Sequence, residues 1–225
     1  MPAHAEDALF LSPATGPISS QPVVKSPSRT ELRKTMRARR RGLSGHERAE
    51  AARCIARRLA GTHLFQRSRR IAFYHANDGE VDASRLMERA WEMNKQCFLP
   101  KLYRIKTRRL WFAPSPPDVK LADNRFGIPE PSLSARHMVG ARELDLILVP
   151  LVAFDKRGNR LGMGGGFYDN TLAYLNQRRH WMKPRLVGVA YEFQKVASLR
   201  ACHWDVPLHA IVTEAQIYAP MGAVL

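Results

Sequence analysis

Cysteine and long apolar segments are both scarce in this chain of 225 residues. Its three cysteines, Cys54, Cys97 and Cys202, are widely spaced and form no CxxC pair. This argues against a disulfide scaffold and a zinc ribbon, and it favours a reducing, cytoplasmic location. The longest nearly uninterrupted apolar run covers residues 146–154 and is broken by Pro150. Since a helix needs about 20 apolar residues to cross a bilayer, we expect no transmembrane helix.

Acidic residues are also few, with 20 Asp and Glu against 36 Lys and Arg, so the formal net charge is +16. Half of this excess lies in residues 29–58, which contain 11 basic and 3 acidic side chains. Such a stretch could follow the phosphates of a nucleic acid, or it could combine a site for an anionic small ligand with solvated helix faces. It contains no aromatic residue for base stacking, which favours the second interpretation. Binding of RNA, with steep salt dependence, stays as an alternative.

The composition is 45% apolar and 25% charged, which is typical of a globular domain. Residues 1–28 differ, with five Pro, five Ser and three charged residues. They fit neither a secretory signal nor an Arg-rich transit peptide, and we interpret them as a disordered extension or as the product of a start codon placed too early. The predicted domain is then residues 29–225.

Local patterns in this domain predict alternating helices and strands. Two S-x-x-E capping boxes, at Ser28 and Ser44, begin the first two helices, and the second ends at Gly61. Strands that alternate with helices favour an α/β fold with three layers (α/β/α), a mostly parallel sheet and helices on both faces, as in a Rossmann-like single domain. Strands are predicted at residues 71–76, 96–103, 108–113, 144–154, 185–191 and 210–213, and further helices after Asp82 and at residues 167–179.

The segment that indicates chemistry is residues 160–169, RLGMGGGFYD, which we call the glycine loop. Its glycines leave backbone N–H groups free to surround phosphate oxygens, and Arg160 adds a forked donor. Asp169 offers a hard oxygen ligand for Mg²⁺. The loop matches neither GxGxxG, because residue 167 is Phe, nor the P-loop motif, because no Lys follows Gly165 or Gly166. A nucleotide-phosphate site is therefore predicted, and a glycine-rich turn without a ligand is the alternative.

Several motifs in order resemble those of the 5-formyltetrahydrofolate cyclo-ligase family, also called 5,10-methenyltetrahydrofolate synthetases. The resemblance extends from Arg29 to Gln216. It rests on the basic first helix with Glu31-Leu32-Arg33, on Gly79-Glu80-Val81-Asp82, on Phe126-Gly127-Ile128-Pro129-Glu130-Pro131, on Val149-Pro150 with Ala153-Phe154-Asp155, on the glycine loop, and on His203-Trp204-Asp205-Val206-Pro207.

The resemblance implies an ATP- and Mg²⁺-dependent enzyme that cyclises 5-formyltetrahydrofolate to 5,10-methenyltetrahydrofolate and releases ADP and phosphate. The formyl oxygen attacks the γ-phosphate, N10 closes the ring of the resulting iminium phosphate, and phosphate leaves. The expected partners are these two substrates, without nucleic acid or membrane, and we expect a monomer. A non-catalytic nucleotide- or folate-binding module on the same fold is the alternative, distinguished by ATP hydrolysis that does not require the formylated folate.

The resemblance also implies roles for individual residues. Arg160 and Tyr168 are the expected catalytic residues, and Asp169 and Asp205 are the expected Mg²⁺ ligands. The expected ATP-binding residues are Arg29, Arg33, Arg160, Leu161, Gly162, Met163, Gly164, Gly165, Gly166, Phe167 and Tyr168. The expected folate-binding residues are Arg33, His75, Glu80, Met163, Gly164, Gly165, Gly166, Phe167 and Tyr168.

Three of these positions depart from the family pattern: Arg29 stands where Lys is usual, His75 where an apolar residue is usual, and Met163 where many relatives have Arg. We therefore expect one phosphate charge contact to be missing at Met163. Taken alone, Glu80 could be a solvated turn or cap residue, and Asp205 could simply shape the turn before Val206.

Overall fold

The helices of the protein follow the predicted caps closely. The computed structural model describes residues 27–102, 108–177 and 183–220, so residues 1–26 of the expected extension lie outside the described residues. Both capping boxes form, with the Ser28 and Ser44 hydroxyls each accepting from the N–H of the Glu three residues later. The helices are α1 (Arg29–Gly42), α2 (Gly45–Ala60), α3 (His63–Arg67), α4 (Ser84–Glu92) and α5 (Phe167–Leu172). None of these described helices is long and apolar enough to cross a membrane.

A seven-stranded sheet forms the middle of the domain. Its order is β11-β10-β9-β6-β1-β2-β3, parallel except at the two outer pairs, β10–β11 and β2–β3. Two small hairpins, β4–β5 and β7–β8, lie outside this sheet. The strands are β1 (Arg70–Ala72), β2 (Gln96–Lys101), β3 (Trp111–Pro114), β4 (Leu121–Asp123), β5 (Pro129–Pro131), β6 (Leu146–Pro150), β7 (Ala153–Phe154), β8 (Arg160–Leu161), β9 (Arg185–Val189), β10 (Ala210–Val212) and β11 (Ile217–Tyr218).

The buried side chains of the sheet divide between two faces, because successive residues of a strand point to opposite sides. Along β6, Leu146 and Leu148 pack in one apolar cluster with α2 and α4. Ile147 and Val149 pack in a second cluster with Leu172 of α5 and the 3₁₀ segment after it. The predicted three-layer α/β fold with a mostly parallel sheet is therefore confirmed.

Several predicted boundaries were wrong. The run at residues 144–154 is two strands, β6 and β7, because the chain leaves the sheet after Pro150. The carbonyls of Leu151 and Val152 instead accept hydrogen bonds from the Gln194 amide, both at 2.8 Å. The helix predicted over residues 167–179 is α-helical only to Leu172 and then 3₁₀ from Ala173–Gln177. Its predicted end at residue 179 lies outside the described residues.

Candidate active site

The glycine loop joins β8 to α5 and is supported by the β7–β8 hairpin. The turn of this hairpin is fixed by Asp155, which is 1% exposed and accepts hydrogen bonds from the backbone N–H groups of Arg157 (2.9 Å) and Leu199 (3.0 Å). Gly164 (φ +102°) and Gly166 (φ +70°) both adopt left-handed backbone that glycine tolerates best. The loop is thus a short run of backbone amides that is exposed at residues 163–165 and rests on this hairpin.

Two arginines of α1 bring positive charge to this loop. Arg33 Nε donates to the carbonyl of Gly162 at 2.9 Å, and its guanidinium lies against Gly164. Burial, together with the neighbouring charge of Arg29, lowers the pKa of Arg33 from its ordinary value. Arg29 reaches Asp205 at 3.4 Å and donates to the thiol sulfur of Cys202 at 3.0 Å. Of the two expected ATP-binding residues outside the glycine loop, Arg33 therefore contacts the loop itself, and Arg29 contacts the segment around Asp205.

The Arg160 side chain is buried beneath the glycine loop and does not point toward solvent. It is 4% exposed, and its two terminal nitrogens donate to the Val206 carbonyl and to Asp169 Oδ1. Burial lowers the pKa of Arg160, while Asp169 and Asp205 oppose this shift. A forked phosphate contact was expected at Arg160, and in the structure both terminal nitrogens of its guanidinium connect the glycine loop with the segment around Asp205.

The two expected magnesium ligands share this region and suit that ion. Asp169 Oδ1 also lies 3.5 Å from the N–H of Val206, and Asp205 Oδ2 accepts from the N–H of Cys202 at 2.9 Å. Within the described ranges, the other oxygen of each carboxylate accepts no hydrogen bond, and no group of three potential metal-ligating side chains occurs. Because Mg²⁺ is commonly held by one or two carboxylates plus substrate phosphates, this pair fits a nucleotide-bound ion.

Glu80, the expected folate-binding carboxylate, lies in a buried charge cluster. The cluster consists of Asp78, Glu80 and Arg40, and Arg40 Nη2 donates to Asp78 Oδ2 at 3.0 Å. The same guanidinium lies 3.6 Å from Glu80 Oε1. Burial raises the pKa of Glu80 to about 7, against the opposing effects of Arg40 and of the backbone N–H of Asn77. Glu80 therefore changes charge near neutral pH.

Two further expected folate-binding residues are Tyr168, which interacts with Glu80, and His75. Burial and the charge of Glu80 raise the pKa of Tyr168, whereas Arg160 opposes the shift, so the Tyr168 phenol stays protonated at neutral pH. His75 Nε2 is buried and makes no hydrogen bond within the described residues, and burial lowers the pKa of His75. Glu80 also lines a cavity of about 620 Å³ between α2 and α4, together with Asp82 and others.

The other loop residues are placed differently from one another. Leu161 is fully buried in an apolar cluster with Leu32, so only its backbone can face a ligand. Met163 is 46% exposed, and its sulfur lies 3.9 Å from Arg40 Nη2. Phe167 packs edge-on against Phe126 at 6.4 Å between ring centroids. Gly165 lies so close to the Phe167 ring that a Cβ added to it would be only 2.9 Å from a ring carbon.

Sequence reasoning missed Arg40 and Asp78. Arg40 was counted only as part of the basic stretch, yet it is 0% exposed. A signal was present, because Leu32, Met36 and Arg40 are spaced by four and form the buried stripe of α1. Asp78 has a positive φ of 52° and ion pairs with Arg37, Arg40 and Arg41.

Comparison with known proteins identifies the family. The model of the 5-formyltetrahydrofolate cyclo-ligase family matches residues 25–214. The 5-formyltetrahydrofolate cyclo-ligase of Haemophilus influenzae is 38% identical over 186 residues, which are 82% of this chain and 94% of that protein. That of Escherichia coli K12 is 37% identical over 81% of this chain and 98% of its own. The NMR structure of Aquifex aeolicus 5,10-methenyltetrahydrofolate synthetase has a TM-score of 0.73 and 33% identity, covering 86% of this chain and 93% of that chain. Because the family model matches residues 25–214 and these proteins share most of its length, the chain belongs to the 5-formyltetrahydrofolate cyclo-ligase family.

Proposed function

We propose that this enzyme, which converts 5-formyltetrahydrofolate to 5,10-methenyltetrahydrofolate, aligns ATP and folate on either side of the Arg40 guanidinium. The observation that carries this proposal is the position of Arg40, 3.6 Å from Glu80 on the folate side and 3.9 Å from Met163 in the glycine loop. A carboxylate that binds a pterin and a loop that binds phosphates are thus held next to each other. Such proximity is what a transfer between two bound substrates requires.

On the ATP side, the glycine loop and α1 supply the contacts. Backbone N–H groups of residues 162–166 surround the phosphates, and Arg29 and Arg33 neutralise them. Met163 carries no charge, so these two arginines take a larger share of the phosphate than in relatives with Arg at that position. Arg160 does not contact the phosphates in this arrangement and instead holds Asp169 in place through a hydrogen bond. The folate side is Glu80, His75 and Tyr168, with Glu80 accepting N–H donors of the pterin.

Asp169 and Asp205 would hold Mg²⁺ against the nucleotide phosphates. The ion, when bound, supplies positive charge to the phosphate oxygens. The remaining chemistry is positioning: the formyl oxygen attacks the γ-phosphorus, ADP leaves, and N10 then displaces phosphate as the five-membered ring closes. The protonated Tyr168 phenol can donate a hydrogen bond to an oxygen at this point of transfer. We also infer a cytoplasmic enzyme, in line with three free cysteines.

One assay tests the proposal. Purified enzyme is mixed with 5-formyltetrahydrofolate, ATP and Mg²⁺, and formation of methenyltetrahydrofolate is followed by absorbance together with ADP release. We expect one ADP for each product molecule and no ADP release without the formylated folate. Absence of methenyltetrahydrofolate, with any ADP release independent of the formylated folate, would indicate the alternative, a non-catalytic nucleotide- or folate-binding module.

A further inference from the structure

Arg40 is a completely buried cation in the last turn of α1. Its Nη1 donates to the carbonyl of Leu151 at 3.3 Å, and its Nη2 donates to Asp78 at 3.0 Å. Its Nε is buried and has no partner among the residues that the structure describes. Burying a guanidinium is costly unless counter-charges surround it, so the two carboxylates at positions 78 and 80 are what make this position tolerable.

The backbone packs closely enough to fix this arrangement. Gly79 has a φ of +75°, and a Cβ placed on it would lie 3.1 Å from both the carbonyl carbon and the carbonyl oxygen of Arg40. The turn that carries Asp78 and Glu80 therefore rests directly on the last turn of α1. Asp78 is held from α1 as well, since Arg37 Nε donates to it at 2.6 Å and Arg41 lies 3.4 Å away.

Arg40 has a specific electrostatic effect on Glu80. Burial raises the pKa of Glu80, and Asp78 raises it further, whereas Arg40 and the Asn77 N–H lower it. The phenols of Tyr74 and Tyr168 also interact with Glu80, and their pKa values are raised by burial and by Glu80 itself. The charged side chains that line the cavity together with Glu80 are Arg48, Asp82, Arg85 and Glu88. Among the described residues, Arg40 is the one cation that ion pairs with Glu80, and it opposes neutralisation of the carboxylate.

We propose that Arg40 is a positioning residue for folate binding, which holds the Glu80 side chain at the edge of the cavity between α2 and α4 and favours its ionised form over the protonated one. This inference rests on the proposed function, in which Glu80 accepts hydrogen bonds from the pterin. An ionised carboxylate can accept two parallel hydrogen bonds from N–H groups. In a protonated carboxyl group, one oxygen carries the proton, and the hydrogen bond to the other oxygen is weaker because the charge is gone. Arg40 does not touch the substrate in this arrangement and acts only through Glu80.

The test compares Arg40→Met, Arg40→Lys and Glu80→Gln with a matched control, Arg41→Met. Arg41 pairs with the same Asp78, but it is 58% exposed and makes no ion pair with Glu80 in the described structure. For each enzyme, the KM for 5-formyltetrahydrofolate, the KM for ATP and the pH dependence of kcat/KM are measured, with unfolding followed by circular dichroism.

For Arg40→Met we expect a rise of at least tenfold in the folate KM, a change of less than twofold in the ATP KM, and a shift of the acidic limb of kcat/KM to higher pH. Arg40→Lys should show the same effects at a smaller size. In the double variant with Glu80→Gln, Arg40→Met should add no further loss, and the acidic limb should be absent. Arg41→Met should behave as wild type in all three measurements.

A folded Arg40→Met enzyme with the folate KM and pH profile of the Arg41→Met control would overturn the proposal. If Arg40→Met fails to fold, Arg40→Lys decides, since a wild-type folate KM and pH profile in that variant would overturn it equally. Failure of the proposed function is distinct, because then the wild-type enzyme itself would form no methenyltetrahydrofolate from 5-formyltetrahydrofolate and ATP.

Discussion

Asp169 Oδ1 accepts a hydrogen bond from Arg160 across the glycine loop, so the expected magnesium ligand and the buried arginine constrain each other. Arg160 is 4% exposed and Asp169 29% exposed. Without this hydrogen bond, the buried Arg160 nitrogen would lose its acceptor, whereas the more exposed Asp169 carboxylate could be hydrated by water. This asymmetry allows metal binding and stability to be separated by substitution.

Asp169→Asn should lower turnover strongly and raise the Mg²⁺ concentration needed for half-maximal rate, because the amide keeps an oxygen for Arg160 but loses the charge. Asp169→Ala should in addition destabilise the fold by about 1–3 kcal/mol, since a buried donor loses its acceptor. Rate titrations with Mg²⁺ and thermal unfolding measure the two effects. Unchanged Mg²⁺ dependence in both Asp169→Asn and Asp205→Asn would contradict the metal assignment.

Gly164→Ala should raise the KM for ATP more than Gly162→Ala does. At Gly164 the backbone φ is +102°, and an added Cβ would lie 3.7 Å from the guanidinium carbon of Arg33. At Gly162 the added methyl meets nothing within 4 Å. Left-handed backbone costs an L-residue about 1–2 kcal/mol, so Gly164→Ala should distort the phosphate loop. ATP KM values measured at saturating folate compare the two, and equal effects would argue against the loop geometry.

His209 should make the protein less stable in mild acid. The backbone N–H of Leu186 donates to His209 Nδ1 at 2.9 Å, and burial lowers the pKa of His209 from 6.5 to about 4. The folded state thus keeps this imidazole neutral, while the unfolded chain protonates it below pH 6.5. The contribution of neutral His209 to the free energy of unfolding is therefore complete above pH 6.5 and is lost as the pH falls toward 4.

Between pH 6.5 and 5 this loss should be about 2 kcal/mol, because each pKa unit corresponds to about 1.4 kcal/mol. Denaturant unfolding at several pH values measures it. His209→Asn supplies an oxygen in place of Nδ1 without titrating, so its free energy of unfolding should fall less over the same range. Parallel curves for the two proteins would show that His209 does not cause the pH dependence.

Deletion of residues 1–26 should leave the melting temperature and the kinetic constants unchanged, because the first helix is already capped by Ser28. Deletion through Ser28 should cost about 1 kcal/mol through loss of this cap. Deletion through Arg33 should raise the KM for ATP. Loss of activity on removing residues 1–26 alone would mean that the extension contributes to the site.

Signals that act over a few residues were sufficient to predict much of the fold. The capping boxes at Ser28 and Ser44 fix the starts of two helices through contacts three residues apart, and their prediction was correct. The glycine loop was equally visible, since left-handed backbone at Gly164 and Gly166 is a local requirement. By contrast, the run at residues 144–154 was read as one strand because its apolar character does not reveal where the pairing partner changes.

What escaped prediction depends on contacts between distant parts of the chain. Arg160 donates to the carbonyl of Val206, 46 residues away, and no local pattern around Arg160 indicates this contact. Arg40 is buried only because the Asp78 turn supplies the counter-charge 38 residues later. The sequence marks both as basic residues, but composition alone cannot distinguish an arginine in water from one enclosed by the fold.

The first helix connects these observations to the dynamics of the enzyme. It packs on the domain through the apolar side chains of Leu32 and Met36, while Arg29, Arg33 and Arg37 repeat every fourth residue beside that stripe. Arg29 and Arg33 repel each other, and in the proposed function an anionic nucleotide would relieve this repulsion. By thermodynamic linkage, ligand binding and ordering of the helix must then favour each other. We therefore expect amide hydrogen exchange along this helix to slow when ATP binds. The free energy of local opening of the helix would then report how much of the enzyme has nucleotide bound.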